Sequence, residues 1–337
     1  MELPAISSIL VYVGCDQLGD GLMKLPFVRT LRAAFPDARI TWLAGRNTSV
    51  YAGSLAPLVV GLLDDVTMED VGTFAARCRT ARQRFDLIID TQRGIPTALR
   101  LRRIPHRRII SPCLGFLLSG VRPGGRNRKS SSLAQQLLDL ATLAAGRPVE
   151  LTPATAPLRL PADVEAEAER LLPAGSTYVG LAPGAGGRHK CWPLESYLKL
   201  GRRIAAAGYV PAVILGPDEA EWISIVRNGL PLARLPLQDA SQVSPLLTIA
   251  LGKRMAAATT NDSGVGHMLA ASDLPLVSLF GPTPPAKFAP VASRLTVIRA
   301  QDFGSDHMAA IPVQAVWDAV AELLAKGKNG ETLPPTA

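Results

Sequence analysis

Short apolar runs alternate along this chain with stretches in which apolar positions recur every three or four residues. Ser8 to Val13 is the first run, and Gly14 to Asp20 follows as a loop with two glycines. From Gly21, Leu22, Leu25, Val28 and Leu31 fall on one helical face, Phe35-Pro36-Asp37 ends that helix, and Arg39 to Leu43 is the next strand. Strand, glycine loop, helix and strand in that order predict a right-handed parallel unit. Phe85 to Asp90 and Arg107 to Ser111 read as further strands, and Ser130 to Ala145 as a helix striped by Leu133, Leu137, Leu138 and Leu140.

Between Gly146 and Pro161 the helical period disappears and prolines accumulate, which reads as a connection between domains. A short acidic helix over Asp163 to Leu172, capped by Asp163, leads into a second series. Its parts are strand Tyr178 to Ala182, glycine loop Gly184 to Gly187, helix Pro193 to Ala207, a C-cap at Gly208, and strand Val210 to Leu215. Another helix is expected from about Ala220, a strand over Arg254 to Thr259, a helix after Gly264, a strand over Pro275 to Phe280, and a last helix over Pro312 to Leu324. The fold class is therefore α/β, with two Rossmann-like domains, 1–160 and 161–325, and a flexible tail, 326–337. In such folds ligands lie at the carboxyl ends of the strands.

At 337 residues, 47% hydrophobic, the chain can bury two cores. The apolar runs are too short to cross a bilayer, and the N-terminus lacks the basic start of a secretory signal, so a cytoplasmic location is expected. Four cysteines and four histidines are scattered, which argues against a disulfide framework and against a metal centre. The net charge of +8 is unevenly placed: Arg93 to Lys129 holds ten Lys or Arg and no Asp or Glu. This stretch is either a solvated face or a surface for an anionic partner. Its apolar insert, Cys113 to Leu118, suits a phospholipid or glycolipid better than a nucleic acid, because no aromatics interleave the arginines.

Three stretches carry candidate chemistry. Asn261-Asp262-Ser263-Gly264 opens a helix bearing His267, and Gly281-Pro282-Thr283-Pro284-Pro285 closes that unit. A helix start of this kind either caps a structural helix or binds an anion, commonly phosphate. Ala182 to Pro193 contains Gly184-Ala185-Gly186-Gly187, small enough for backbone to approach a ligand, and Lys190, placed to neutralise a leaving diphosphate. Leu18-Gly19-Asp20-Gly21 offers a carboxylate that either caps a helix or acts as a general base. Neither a Walker motif nor a dinucleotide fingerprint is present.

Taken in order, LGD near the start, then G-A…K-x-WP, then NDSG-x-x-H…LFGPT-x-P, the chain resembles glycosyltransferase family 9, the lipopolysaccharide heptosyltransferases. The resemblance implies a GT-B fold, two facing Rossmann-like domains with an inter-domain cleft, the acceptor side N-terminal and the nucleotide-sugar side C-terminal. It implies no cofactor and no metal. Asp20 would be the base in an inverting transfer, Lys190 would contact the donor phosphates, and Asp262 the donor sugar. Ser263, Gly264, His267 and Thr283 would line the nucleotide pocket together with Gly184, Ala185 and Gly186. The donor would be an ADP-sugar, by family default ADP-heptose, and the acceptor a lipopolysaccharide core or related glycan. Arg93, Arg122, Arg126, Arg128 and Lys129 would face that anionic acceptor or the cytoplasmic face of the inner membrane, where the protein would sit peripherally. Two departures stand out: Gly14-Cys15-Asp16 replaces an arginine common near the first strand's end, and Ala185-Gly186 replace hydroxyl residues before the lysine. The rival readings are a non-catalytic nucleotide-sugar or glycan binder on the same fold and a sugar-nucleotide epimerase. A nucleic-acid binder would leave Asp262 and His267 without purpose.

Overall fold

The structure, a computed structural model, describes residues 6–45, 48–69, 80–123, 132–149 and 158–329. The chain divides into two compact units, Met1–Ala156 and Pro157–Ala337. Half of the connection expected over Gly146 to Pro161, residues 150–157, lies outside the described residues, as do Arg126, Arg128 and Lys129.

The first unit holds β1 (Ser8–Val13), α1 (Leu18–Ala34), β2 (Arg39–Ala44), β3 (Asp65–Met68), β4 (Phe85–Asp90), α2 (Ile95–Leu101), β5 (His106–Ile110) and α3 (Leu133–Ala145). Its five strands are all parallel, in the order β3-β2-β1-β4-β5. Central strands of a parallel sheet are covered on both faces, which is why β1, β2 and β4 read as unbroken apolar runs rather than alternating ones. Order reverses between β1 and β4, so the crevice of this sheet opens at their carboxyl ends.

The second unit contains α4 (Ala162–Leu171), β6 (Tyr178–Ala182), α5 (Leu194–Ala206), β7 (Val210–Val213), α6 (Ile223–Gly229), α7 (Pro245–Gly252), β8 (Met255–Asn261), α8 (Gly264–Ala271), β9 (Leu276–Phe280), α9 (Pro285–Phe288), β10 (Leu295–Arg299) and α10 (Val313–Asn329). Its parallel sheet runs β10-β9-β8-β6-β7, and the switch point lies between β6 and β8. Two apolar clusters, one on each face, hold this sheet; Trp192, Tyr197 and Leu200 belong to one, Leu247, Leu251 and Leu269 to the other.

Four expectations are corrected. Helix α1 starts at Leu18 and not Gly21, so Asp20 lies within its first turn. Pro161 precedes α4 as its cap and Asp163 sits inside the first turn, where an acidic side chain meets the positive end of the helix. The segment expected as a helix from Ala220 opens as a 3₁₀ turn, Pro217–Trp222, before α6. The last helix continues past Leu324 to Asn329, through residues expected in part to be a frayed tail. Among the described residues no helix is long and apolar enough to cross a membrane.

Candidate active site

The carboxyl edge of the second sheet assembles most of the residues singled out from the sequence. Strand β6 ends in Pro183 and the glycine loop, and β8 ends in Asn261. The Asn261 side chain stitches the two together: Nδ2 donates to the Pro183 carbonyl (2.7 Å), while Oδ1 accepts from the Trp192 N–H (3.0 Å) and the Tyr197 hydroxyl (3.1 Å). The group is fully buried and fully used, so it fixes where the next residue, Asp262, emerges. Asp262 Oδ2 accepts from Lys190 Nζ (2.9 Å) and from the Thr283 hydroxyl (2.8 Å). Lys190, Asp262 and Thr283, which lie far apart in sequence, thus converge on one oxygen.

Ser263 caps α8, its hydroxyl accepting from the Gly266 N–H at 3.3 Å. Gly264 is exposed at the first helical position, and His267 is buried one turn on. The loop that carries Thr283 is pinned at its base by Gln301 Nε2, which donates to the Gly281 carbonyl at 2.6 Å. Lys190 closes a 3₁₀ turn, Arg188–Lys190, whose Arg188 guanidinium lies 4.2 Å over the Trp222 ring and pairs with Glu221 at 2.6 Å.

Gly184 reveals a residue that the sequence patterns missed. A Cβ at Gly184 would stand 2.4 Å from the Glu219 carboxyl, so only glycine leaves that carboxyl its place beside the loop. Glu219 is buried, accepts from the Gly216 N–H at 2.9 Å, and is pushed above the usual carboxylate range by that burial. Gly216-Pro217 just before it was the available signal, since Pro at the start of a turn followed by an acid reads as a helix opening. Ala185 and Gly186 complete the loop, and the space beside Gly186 is open.

In the first unit, Asp20 lies half-buried on the first turn of α1, and its carboxylate accepts from the Gln17 N–H at a long 3.5 Å. The cap role expected for it is therefore present but weak. Beneath it sits a charge pair that the motifs did not reveal. Asp16 is fully buried and pairs with Lys24, which lies one helical turn beyond Asp20. Asp16 also accepts from Trp42 Nε1 (2.8 Å) and the Ser49 hydroxyl (3.1 Å), and Lys24 reaches the Cys15 carbonyl at 3.4 Å. Gly21 lets α1 approach this corner: a Cβ there would fall 2.5 Å from Val50, and the Gly21 carbonyl accepts from the Tyr51 hydroxyl at 2.6 Å.

At the neighbouring strand end, Asp90 is also fully buried, accepting from the Ser111 hydroxyl (2.7 Å) and the Gln92 N–H (2.8 Å). Burial outweighs both hydrogen bonds and pushes this carboxyl up to about 6. Arg93 and Arg122 are exposed, and Arg93 donates to Gln136 at 2.7 Å.

Comparison with known proteins places the chain in a family. Residues 77–310 match the family described as "Glycosyltransferase family 9 (heptosyltransferase)". A lipooligosaccharide heptosyltransferase 2 from Haemophilus ducreyi is 25% identical over 319 residues, 88% of this chain and 89% of that protein. A shorter curated heptosyltransferase match, 32% identical, spans 36% of this chain and 36% of its relative. Among solved structures, a glycosyl transferase family 9 protein from Veillonella parvula superposes with a TM-score of 0.75 at 18% identity, covering 97% of this chain and 99% of that one. An Escherichia coli heptosyltransferase solved with ADP gives 0.68 at 17% identity over 94% and 99%. These likenesses show the GT-B α/β fold. The chain belongs to glycosyltransferase family 9, the heptosyltransferases, and is a glycosyltransferase.

Proposed function

We propose that this protein transfers a heptose from ADP-heptose to a lipopolysaccharide core or related glycan, with inversion and without a metal ion. The convergence of Lys190, Asp262 and Thr283 at the switch point between β6 and β8 carries this reading. An ammonium beside the positive end of α8 suits a diphosphate, whose charge rises as it leaves. On donor binding Lys190 is shared between Asp262 and the diphosphate, and Asp262 accepts from a sugar hydroxyl. Backbone N–H groups of Gly184, Ala185, Gly186, Ser263 and Gly264 bind phosphate oxygens, His267 and Thr283 wall the pocket, and the Glu219 carboxylate suits the ribose hydroxyls.

Asp20 takes the proton of the acceptor hydroxyl while its oxygen attacks the anomeric carbon. The bond from that carbon to the β-phosphate oxygen breaks, and ADP leaves with the electron pair. The E. coli heptosyltransferase solved with ADP supports the choice of nucleotide. The cationic Arg93 and Arg122 suit an anionic acceptor, with Arg126, Arg128 and Lys129 assigned from sequence to the same role. The protein works in the cytoplasm, peripherally on the inner membrane.

The test is transfer from ADP-heptose to a lipid A-core acceptor. Asp20→Asn should lower kcat by roughly 10²–10⁴-fold, the usual contribution of a positioned base, with donor KM little changed. A variant as active as wild type removes Asp20 from the chemistry.

A further inference from the structure

The first unit holds exposed aliphatic side chains in a stretch of chain rich in arginine. Helix α2 buries Ala98 and Leu101 but leaves Ile95 and Leu99, one turn apart, 44% and 50% exposed. Packed against α2 is the turn Cys113–Phe116, which buries Cys113 and leaves Leu114 56% exposed, with Leu117 just beyond it at 58%. Arg102 ties the two elements together by donating to the Leu118 carbonyl at 2.9 Å.

This turn is an unusual piece of backbone. Leu114, Gly115 and Phe116 all adopt positive φ, at 49°, 63° and 70°. Two of the three carry side chains that disfavour that region. Its ends are clamped: Ser111 N–H donates to the Ser119 hydroxyl (2.7 Å), that hydroxyl donates to the Ser111 carbonyl (2.9 Å), and Gly120 N–H reaches the Ile109 carbonyl (2.8 Å). The fold thus maintains a strained turn that presents leucines outward.

The charge carried by this stretch of chain is of one sign. Arg100, Arg102, Arg103 and Arg122 are exposed, and among the described residues none of them forms an ion pair with a carboxylate. The guanidiniums of Arg32, Arg39, Arg170, Arg188 and Arg254, by contrast, all have acidic partners. No acid occurs anywhere between residues 93 and 129. Aliphatic anchors flanked along the chain by arginines fit an anionic lipid interface, where the leucines enter the acyl boundary and the guanidiniums meet phosphate. They fit a protein partner less well, for leucine is under-represented among protein hot spots.

We propose that the outward face of α2 and the turn around Leu114 and Leu117 form a docking surface for an anionic phospholipid bilayer. This deepens the peripheral location proposed above and is read separately from sugar transfer. The experiment is co-sedimentation of the full chain with phosphatidylcholine vesicles, with or without phosphatidylglycerol. Wild type should favour the phosphatidylglycerol vesicles by about tenfold or more, and that preference should fade as salt rises. Leu114→Ser/Leu117→Ser and Arg100→Glu/Arg103→Glu should each weaken binding by about tenfold or more, with melting temperatures near wild type. Equal binding of wild type to both vesicles, or variants that bind like wild type, overturns the proposal. Because salt dependence is read on wild type alone, a variant that fails to fold does not rescue it. Transfer lost while vesicle binding persists counts against the proposed reaction and not against this surface.

Discussion

Both sheets end in a carboxyl edge bearing acidic side chains, and the two edges treat them differently. On the first, Asp16 and Asp90 are fully buried, each held by fixed protein donors. On the second, Asp262 and Lys190 are in partial contact with solvent and rely heavily on each other. A buried charge is tolerable only when its partners are permanent, and such a group stiffens a corner. A half-open pair can exchange one partner for a ligand at little cost. The first edge is therefore built to hold a turn of helix in place, and the second to accept charge from outside.

The sharpest way to break this contrast is Lys24→Met. It strands the Asp16 carboxylate in the interior and should cost about 3–5 kcal/mol of stability, measured by urea unfolding. Loss of less than about 1 kcal/mol, the scale of a surface pair, would mean that this corner is not locked at all.

A second prediction uses pH. The folded-state value for Asp90, about 6, lies above that of an exposed carboxylate, so the folded chain holds this proton more tightly than the unfolded chain. Its contribution to stability is fully present below about pH 4 and is lost as pH rises through about 6. Asp90→Asn should remove that dependence, so the stability difference between variant and wild type should change by about 3 kcal/mol across the window. Parallel stability–pH curves for the two proteins would show that Asp90 is not desolvated as described.

Much of this was legible because parallel strands and amphipathic helices leave strong periodic signals. The runs Ser8 to Val13, Phe85 to Asp90 and Tyr178 to Ala182 became strands with those limits. Strand β3, only four residues long and without a fully buried position, and β10, whose residues are mostly half-buried, carry no such signal. The motifs around Lys190, Asp262 and Thr283 were visible, but not that all three meet at one oxygen, because that depends on the order of β6, β8 and β9 in the sheet. Asp16, Lys24 and Asp90 look like ordinary polar residues until the sheet places them inside. Glu219 is defined by a glycine 35 positions earlier, a relation that no local pattern contains.

The most direct test of the contrast is calorimetric titration of ADP into wild type, Lys190→Ala and Asp20→Ala. If the second edge is the anion site, wild type and Asp20→Ala bind ADP alike, while Lys190→Ala binds about tenfold or more weakly, as expected for loss of a charge-assisted contact. Equal binding by Lys190→Ala, or weakened binding by Asp20→Ala alone, would contradict the account and move the nucleotide away from the second edge.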